Sequence, residues 1–198
     1  MRNLRKVELL AIGDELLNGQ RQNGHLVYLG EKLGEIGLPL WRGSEFRDEP
    51  EEMVAAFRNA FERSDLVIVT GGLGPTSDDY TAACAARALG RELIESAEVE
   101  AAIRAFFKAR GREPTTNNFK QCAVIDGAEI LENPNGTAPG QWLEWNDRVI
   151  VLLPGPPGEL IPMFEDKVLP RLDKLGWSHP VEEAVRIRTL GIGESQVA

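Results

Sequence analysis

Residues 67 to 81 read VIVTGGLGPTSDDYT: a β-branched apolar run meets Gly71, Gly72 and Gly74, then Pro75, and a helix start carrying Thr76, Ser77, Asp78 and Asp79. Glycines in such a loop remove side chains where the backbone must approach a partner, and they permit positive φ at little steric cost. N–H groups at the start of the next helix then point at an anion. A phosphate loop would place a lysine here, whereas this chain places two carboxylates, which repel phosphate unless a cation lies between them. An aspartate at this point can hold Mg²⁺ or another divalent ion that bridges to phosphate, and Asp14 is a candidate second ligand for the same ion. The same Thr76, Ser77, Asp78 and Asp79 also suit the ordinary work of capping helix N–H groups and complementing the helix dipole, so both roles stay open.

Two further loops have unusual composition. Gly13-Asp14-Glu15 and Pro154-Gly155-Pro156-Pro157 each follow an apolar run, as the glycine loop does. In open α/β sheets ligands bind beyond the carboxyl ends of parallel strands, so three such loops on one edge would frame one crevice. Asn135 to Gly140 forms another small-residue loop with the Thr137 hydroxyl and several backbone donors, and by itself it reads as a hairpin connector. Asn118, Lys120 and Gln121 supply amide and cationic groups that could meet a ribose or phosphate, or simply be solvated. Trp142 and Trp145 read as packing of a hairpin rather than as a base-stacking platform.

The elements that must position these loops follow from periodicity. Val7 to Ile12 reads as a strand, and Asn23 caps a helix whose Leu26, Leu29, Leu33 and Ile36 share one face. Leu38 to Phe46 is a second strand, a helix follows Pro50, and Asp65 to Thr70 is a strand buried on both faces. Ala82, Ala85, Ala86 and Leu89 make a small-residue helical stripe stopped by Gly90. Val99, Ile103, Phe106 and Phe107 mark another helix, and 111 to 118 reads as a loop. Strands are expected at 128–131, 141–145 and 148–153, the last two joined by a tight Asn146-Asp147 turn. A final helix is expected to begin at Pro162 and to end before Pro170, because proline suits a first helical position and not an interior one. The alternation implies a three-layer α/β/α domain over residues 1–172, with a mostly parallel sheet and a small antiparallel hairpin. From 173 to 198 a further segment begins, with a strand at 181–190 and the start of a turn and helix in GIGESQVA, as in the N-terminal part of a longer protein.

Composition bounds the partners. With 198 residues, 31 acidic against 22 basic side chains and a net charge of −9, the surface repels long polyanions, so nucleic acid is not expected as a partner. No apolar run approaches the roughly 20 residues of a membrane span and the N-terminus lacks a cleavable signal pattern, so a soluble cytoplasmic protein without membrane contact is expected. Cys84 and Cys122 lack metal spacing, His25 and His179 are the only histidines, and neither zinc nor a disulfide is expected.

At these residues the sequence resembles the N-terminal domain of the CinA (competence/damage-inducible protein A) family, within the wider molybdopterin-binding fold. GDELLNGQ at 13–20, TGGLGPTSDDYT at 70–81, NNFKQC at 117–122, NPNGTAPG at 133–140 and LPGPPGEL at 153–160 carry the resemblance, and RTLGIGES at 188–195 resembles the segment that follows. The resemblance implies a homo-oligomer that hydrolyses ADP-ribose to AMP and ribose 5-phosphate with a divalent metal, Mg²⁺ or Co²⁺, and with K⁺ as a candidate further ion. In that reaction Asp79 would hold the metal with Asp78 or Asp14, and the amides of Gly71, Gly72 and Gly74 would take developing charge. Thr81, Asn118, Lys120 and Thr137 would orient phosphates or ribose, with Pro75, Thr76, Gly140, Pro154 and Gly155 lining the ligand. Two positions depart from the family: Gly24-His25 stands where a Thr-Asn pair is usual, and Cys122 stands where alanine is usual. Members often carry a C-terminal deamidase domain, and deamidase activity is not expected of this chain. A pterin-binding or adenylyl-transferring protein of molybdenum cofactor biosynthesis, and a non-catalytic module, are the competing functions.

Overall fold

The computed structural model describes residues 5–179 and 190. The features expected over 181–198, Leu190 apart, lie outside the described residues.

Three strands, β1 (Val7–Ile12), β3 (Leu66–Thr70) and β8 (Arg148–Leu153), form the middle of a six-stranded sheet. Their runs of Val, Ile and Leu are buried almost without a break, as strands covered on both faces require. With β2 (Leu40–Phe46), β6 (Glu129–Leu131) and β7 (Gly140–Trp145) the order is β2-β1-β3-β8-β7-β6. Pairing is parallel from β2 to β8 and antiparallel from β8 through β7 to β6. The expected mostly parallel sheet with an antiparallel hairpin is therefore present.

Alternation along the strands divides the core. On one face Leu10, Ile12, Val67, Val69, Ile150 and Leu152 pack against α3 (Pro50–Arg63) and α4 (Thr81–Leu89). On the other, Leu9, Ile68, Val151 and Leu153 meet α2 (Gly24–Glu35) and the C-terminal helices. The small side chains Ala85 and Ala86 face the first layer, and Gly90 ends α4 in the left-handed region at φ 66°, where a side chain is disfavoured. A smaller cluster of Val99, Ile103, Cys122 and Val124 lies under α5 (Ala97–Lys108). Both cysteines are buried and unpaired. Trp142 is buried, and Trp145 packs at the core margin.

Three elements differ from expectation. The last helical region starts at Pro157 as α6 (Pro157–Met163), so Pro162 sits inside it. Proline there removes the N–H that would bond the Gly158 carbonyl, and Asn135 Nδ2 donates to that carbonyl instead at 2.7 Å. The chain then passes through a wide π turn, Phe164–Val168, into α7 (Leu169–Lys174), which carries Pro170 in its first turn where no N–H is needed. Residues 116–118 are helical: Thr115 caps a 3₁₀ segment, Thr116–Cys122, through a reciprocal box with Asn118. Two short strands, β4 (Leu93–Glu95) and β5 (Ala123–Ile125), pair apart from the main sheet.

The Asn146-Asp147 turn joins β7 to β8 with φ of 49° and 60°, the two positive values of a type I′ hairpin. Aspartate is strained at the second position, so Asp147→Gly is expected to stabilise the domain by about 0.5–1 kcal/mol, read as a raised urea midpoint with unchanged m-value.

Candidate ligand-binding site

The parallel strands β1, β3 and β8 are neighbours, so the loops leaving their carboxyl ends share one edge. There Gly13, Gly71 to Pro75 and Pro154 to Pro157 wall a cleft of about 740 Å³. The floor is the glycine loop, and its hydrogen bonding is one-sided. The Gly71 carbonyl accepts from Thr81 Oγ1 at 2.8 Å, the Gly72 carbonyl from the Thr81 N–H at 3.1 Å, and the Leu73 carbonyl from Gln121 Nε2 at 3.1 Å. Lys120 Nζ donates to the Thr76 carbonyl. Among the described residues the N–H groups of Gly72, Leu73 and Gly74 have no partner. Successive amides freed this way form an anion-binding concavity. The glycines are needed sterically: a Cβ on Gly71 would meet the Ile12 carbonyl oxygen at 2.3 Å, and one on Gly72 would meet Thr81 Oγ1 at 2.3 Å.

The comparisons with known proteins agree with this architecture. The profile whose description reads "Probable molybdopterin binding domain" matches residues 8–174. The chain belongs to this molybdopterin-binding family. A competence-damage inducible protein by name, from Thermoanaerobacter pseudethanolicus, is 45% identical over 190 residues, covering 96% of this chain and 46% of that protein. A CinA-like protein of Dictyoglomus thermophilum is 42% identical over 190 residues, again covering 96% of this chain and 46% of the relative. The chain thus spans about half the length of these relatives. The crystal structure of CinA from Thermoplasma acidophilum superposes with a TM-score of 0.76 at 30% identity, over 86% of this chain and 98% of that one. The molybdopterin biosynthesis enzyme MoaB from Thermus thermophilus shares the fold, with a TM-score of 0.59 at 21% identity over 86% and 93% of the two chains.

The fold places the residues singled out from sequence in three groups. Gly71, Gly72, Gly74, Pro75, Asp78, Asp79, Thr137, Pro154 and Gly155 line the cleft. Thr81 is wholly buried beneath the loop, Thr76 turns its N–H and hydroxyl to the Asp79 carboxylate, and Lys120 borders a smaller cavity of about 90 Å³ behind the loop. Asn118 accepts from the Thr115 N–H and hydroxyl at 2.9 and 3.0 Å, and Gly140 is enclosed where a Cβ would meet the Leu152 carbonyl at 2.9 Å. Neither borders the cleft.

The three aspartates singled out from sequence stand in different settings. Asp79 serves as the cap of its own turn, lying over Gly74, where a Cβ would meet Asp79 Oδ2 at 2.6 Å. Asp14 does not line the cleft; its N–H instead donates to Asp48 Oδ2 at 3.3 Å, and Glu15 and Asp48 line the wall. A short helix, α1 (Asp14–Leu17), begins directly after Gly13, which puts Asp14 in a first turn. Among the described residues no three acidic, cysteine or histidine groups stand close enough to hold a metal ion. Asp48 and Asp78 both line the cleft, and the Asp78 charge is one of those that act on Asp48. Asp78 is held below the ordinary carboxylate range by the Thr76 side chain, its own backbone N–H and nearby Lys120.

Asp48, Arg21 and Glu159 are cleft residues that the sequence reading did not single out, Glu15 lines the cleft as its loop was expected to, and His25 enters the cleft from the first turn of α2. His25 Nδ1 lies 3.0 Å from the Thr70 hydroxyl, and burial lowers its pKa, so the imidazole is favoured neutral. Asp48 moves the other way. Burial, then the carboxylates of Asp14, Glu15 and Asp78, raise its pKa against the lowering effect of the Asp14 N–H. A raised folded pKa means that Asp48 favours the folded state below the unfolded value and that this contribution is lost as pH rises through the folded value. Asp48→Asn keeps the acceptor for Asp14, so it is expected to raise the melting temperature at neutral pH in chelator-treated buffer. The gain should vanish in melts recorded below the ordinary aspartate pKa.

Proposed function

We propose that this domain binds a phosphorylated heterocyclic small molecule of the molybdopterin type, with its phosphate on the Gly72, Leu73 and Gly74 amides. The observation that carries the reading is the one-sided loop: its carbonyls are held by Thr81 and Gln121, while the N–H groups of Gly72, Leu73 and Gly74, which line the cleft, have no protein partner among the described residues. Family membership and the name of the MoaB neighbour support a pterin ligand. Backbone donors also suit a chain whose net charge of −9 leaves little general attraction for an anion.

A second reading, hydrolysis of ADP-ribose to AMP and ribose 5-phosphate, is favoured by Asp48 and Asp78 at the cleft. A divalent ion bound there would neutralise the pyrophosphate. The loop amides would hold the phosphoryl oxygens, and the walls at Pro154 to Pro157 would orient the ligand and limit water.

One pair of assays separates them. Molybdopterin and ADP-ribose are titrated calorimetrically into the wild type, and AMP release from ADP-ribose is followed with Mg²⁺ or Co²⁺, with and without K⁺. Molybdopterin binding without AMP release supports the first reading. AMP release that Asp78→Ala abolishes supports the second. Neither signal from folded protein would leave a non-catalytic module.

A further inference from the structure

Gln121 closes the back of the glycine loop, and half of its amide is unused. The residue is 6% exposed near the end of the 3₁₀ segment Thr116–Cys122, and it borders both the main cleft and the smaller cavity behind it. Its Nε2 donates to the Leu73 carbonyl at 3.1 Å. That partner is an acceptor, so the amide cannot be turned round without setting oxygen against oxygen. The oxygen is therefore fixed on the other side, where Oε1 is buried with no protein donor in reach. Native chains seldom leave a buried side-chain oxygen without a donor.

We propose that Gln121 Oε1 is a specificity-determining acceptor for an N–H donor on the ligand's heterocycle. The loop amides are all donors and suit an anion; Gln121, from a segment 48 positions along the chain from Leu73, adds the opposite polarity where the cleft and the smaller cavity meet. The smaller cavity is faced by Ala82, Ala83, Leu93, Ala123 and Pro139, an apolar surface suited to the edge of a flat ring. The matching ligand carries a phosphate and a ring amine, the chemistry shared by an adenine nucleotide and an aminopterin phosphate. Oε1 has almost no exposed surface, so contact requires a local opening of the residues around it. The proposal rests on the phosphorylated-heterocycle reading above and adds what selects the ring.

Two ligand pairs test it, each removing the exocyclic amine without adding a ring N–H: AMP against purine riboside 5′-monophosphate, and 6-hydroxymethylpterin phosphate against its 2-deamino counterpart. Dissociation constants are measured for wild type and Gln121→Met, with pyrophosphate as a reporter of the loop amides and a thermal melt as a folding check. The wild type should prefer the amine-bearing member of one pair by about tenfold or more, and the pair that discriminates identifies the source of the ring. Gln121→Met should bring that ratio to about twofold or less; the ratio is taken within the variant, so any general loss from freeing the Leu73 carbonyl, which pyrophosphate affinity reports, cancels. An unchanged ratio in the variant, or a wild type that distinguishes neither pair, overturns the proposal and leaves Gln121 a loop brace whose oxygen meets only water. If Gln121→Met loses pyrophosphate binding or unfolds, the wild-type Gln121 side-chain amide resonances decide: they must shift more with the amine-bearing member of the pair than with its counterpart, and equal shifts overturn the proposal. AMP release from ADP-ribose is scored separately, so hydrolysis can fail while ring selection stands, or the reverse.

Discussion

Arg63→Met is expected to cost about 3–5 kcal/mol of stability, because it leaves a carboxylate sealed in the core without its main counter-ion. Glu8 lies in the middle of the sheet on β1 with no exposed surface. Arg63, at the end of α3, donates Nε to Glu8 Oε2 at 2.9 Å and contacts Oε1 with a second nitrogen, while Ser64 Oγ donates to Oε2 at 2.8 Å. Arg42 stands farther off at 3.8 Å. The two partners are not equivalent, since the Arg63 side chain keeps 34% of its exposure and can return to water while Glu8 cannot. Glu8→Gln should therefore cost less than Arg63→Met, and Glu8→Leu combined with Arg63→Met should recover part of the loss. At about 2–4 °C per kcal/mol, the single Arg63 change is expected to lower Tm by roughly 6–20 °C in a calorimetric scan. An equal or larger fall for Glu8→Gln would contradict this assignment of the burden.

Gly71→Ala is expected to abolish ligand binding and to destabilise the domain by about 2 kcal/mol or more. Gly71 holds φ 94°, a conformation that costs an L residue roughly 1–2 kcal/mol. Its absent Cβ would also meet the Ile12 carbonyl oxygen at 2.3 Å, an atom held in the sheet that cannot retreat cheaply. Relief requires the loop to lift, and lifting it breaks the Thr81 hydroxyl bond to the Gly71 carbonyl and disperses the amides. Gly155→Ala serves as the contrast. Its Cβ would find only Gly71 Cα at 3.5 Å, an ordinary contact, so its melting temperature should stay within about 2 °C of wild type. Paired melts and pyrophosphate titrations of the two variants check the prediction.

What was legible in the sequence follows from how locally each feature is determined. The Val- and Ile-rich runs of β1, β3 and β8 specify strands buried on both faces, and their loops fall on one edge once the crossovers are right-handed. Asn23, Gly90 and Asn146-Asp147 act through their own backbone, so their cap, stop and turn were readable. Pro162 was misleading because its helix is repaired by Asn135, a partner 23 positions from the orphaned Gly158 carbonyl. Likewise β4 escaped notice: Leu93, Ile94 and Glu95 are all exposed, so no alternation marks them. In the site, the glycines announced a close backbone approach, whereas the carboxylates announced only their number. Whether Asp79 faces a ligand or its own Thr76, and whether Asp14 or Asp48 reaches the cleft, depends on side-chain direction after a turn. Asp48 lies in the segment between β2 and α3, and the neighbouring β1 loop makes it part of the wall.

The central claim is that the Gly72, Leu73 and Gly74 amides receive the ligand's phosphate. A ¹H–¹⁵N correlation titration with inorganic pyrophosphate, with and without Mg²⁺, tests it directly. The account predicts that these three resonances shift most and saturate together, and that Gly71→Ala removes the response. Saturable shifts confined to other residues, with these three amides unmoved, would contradict it.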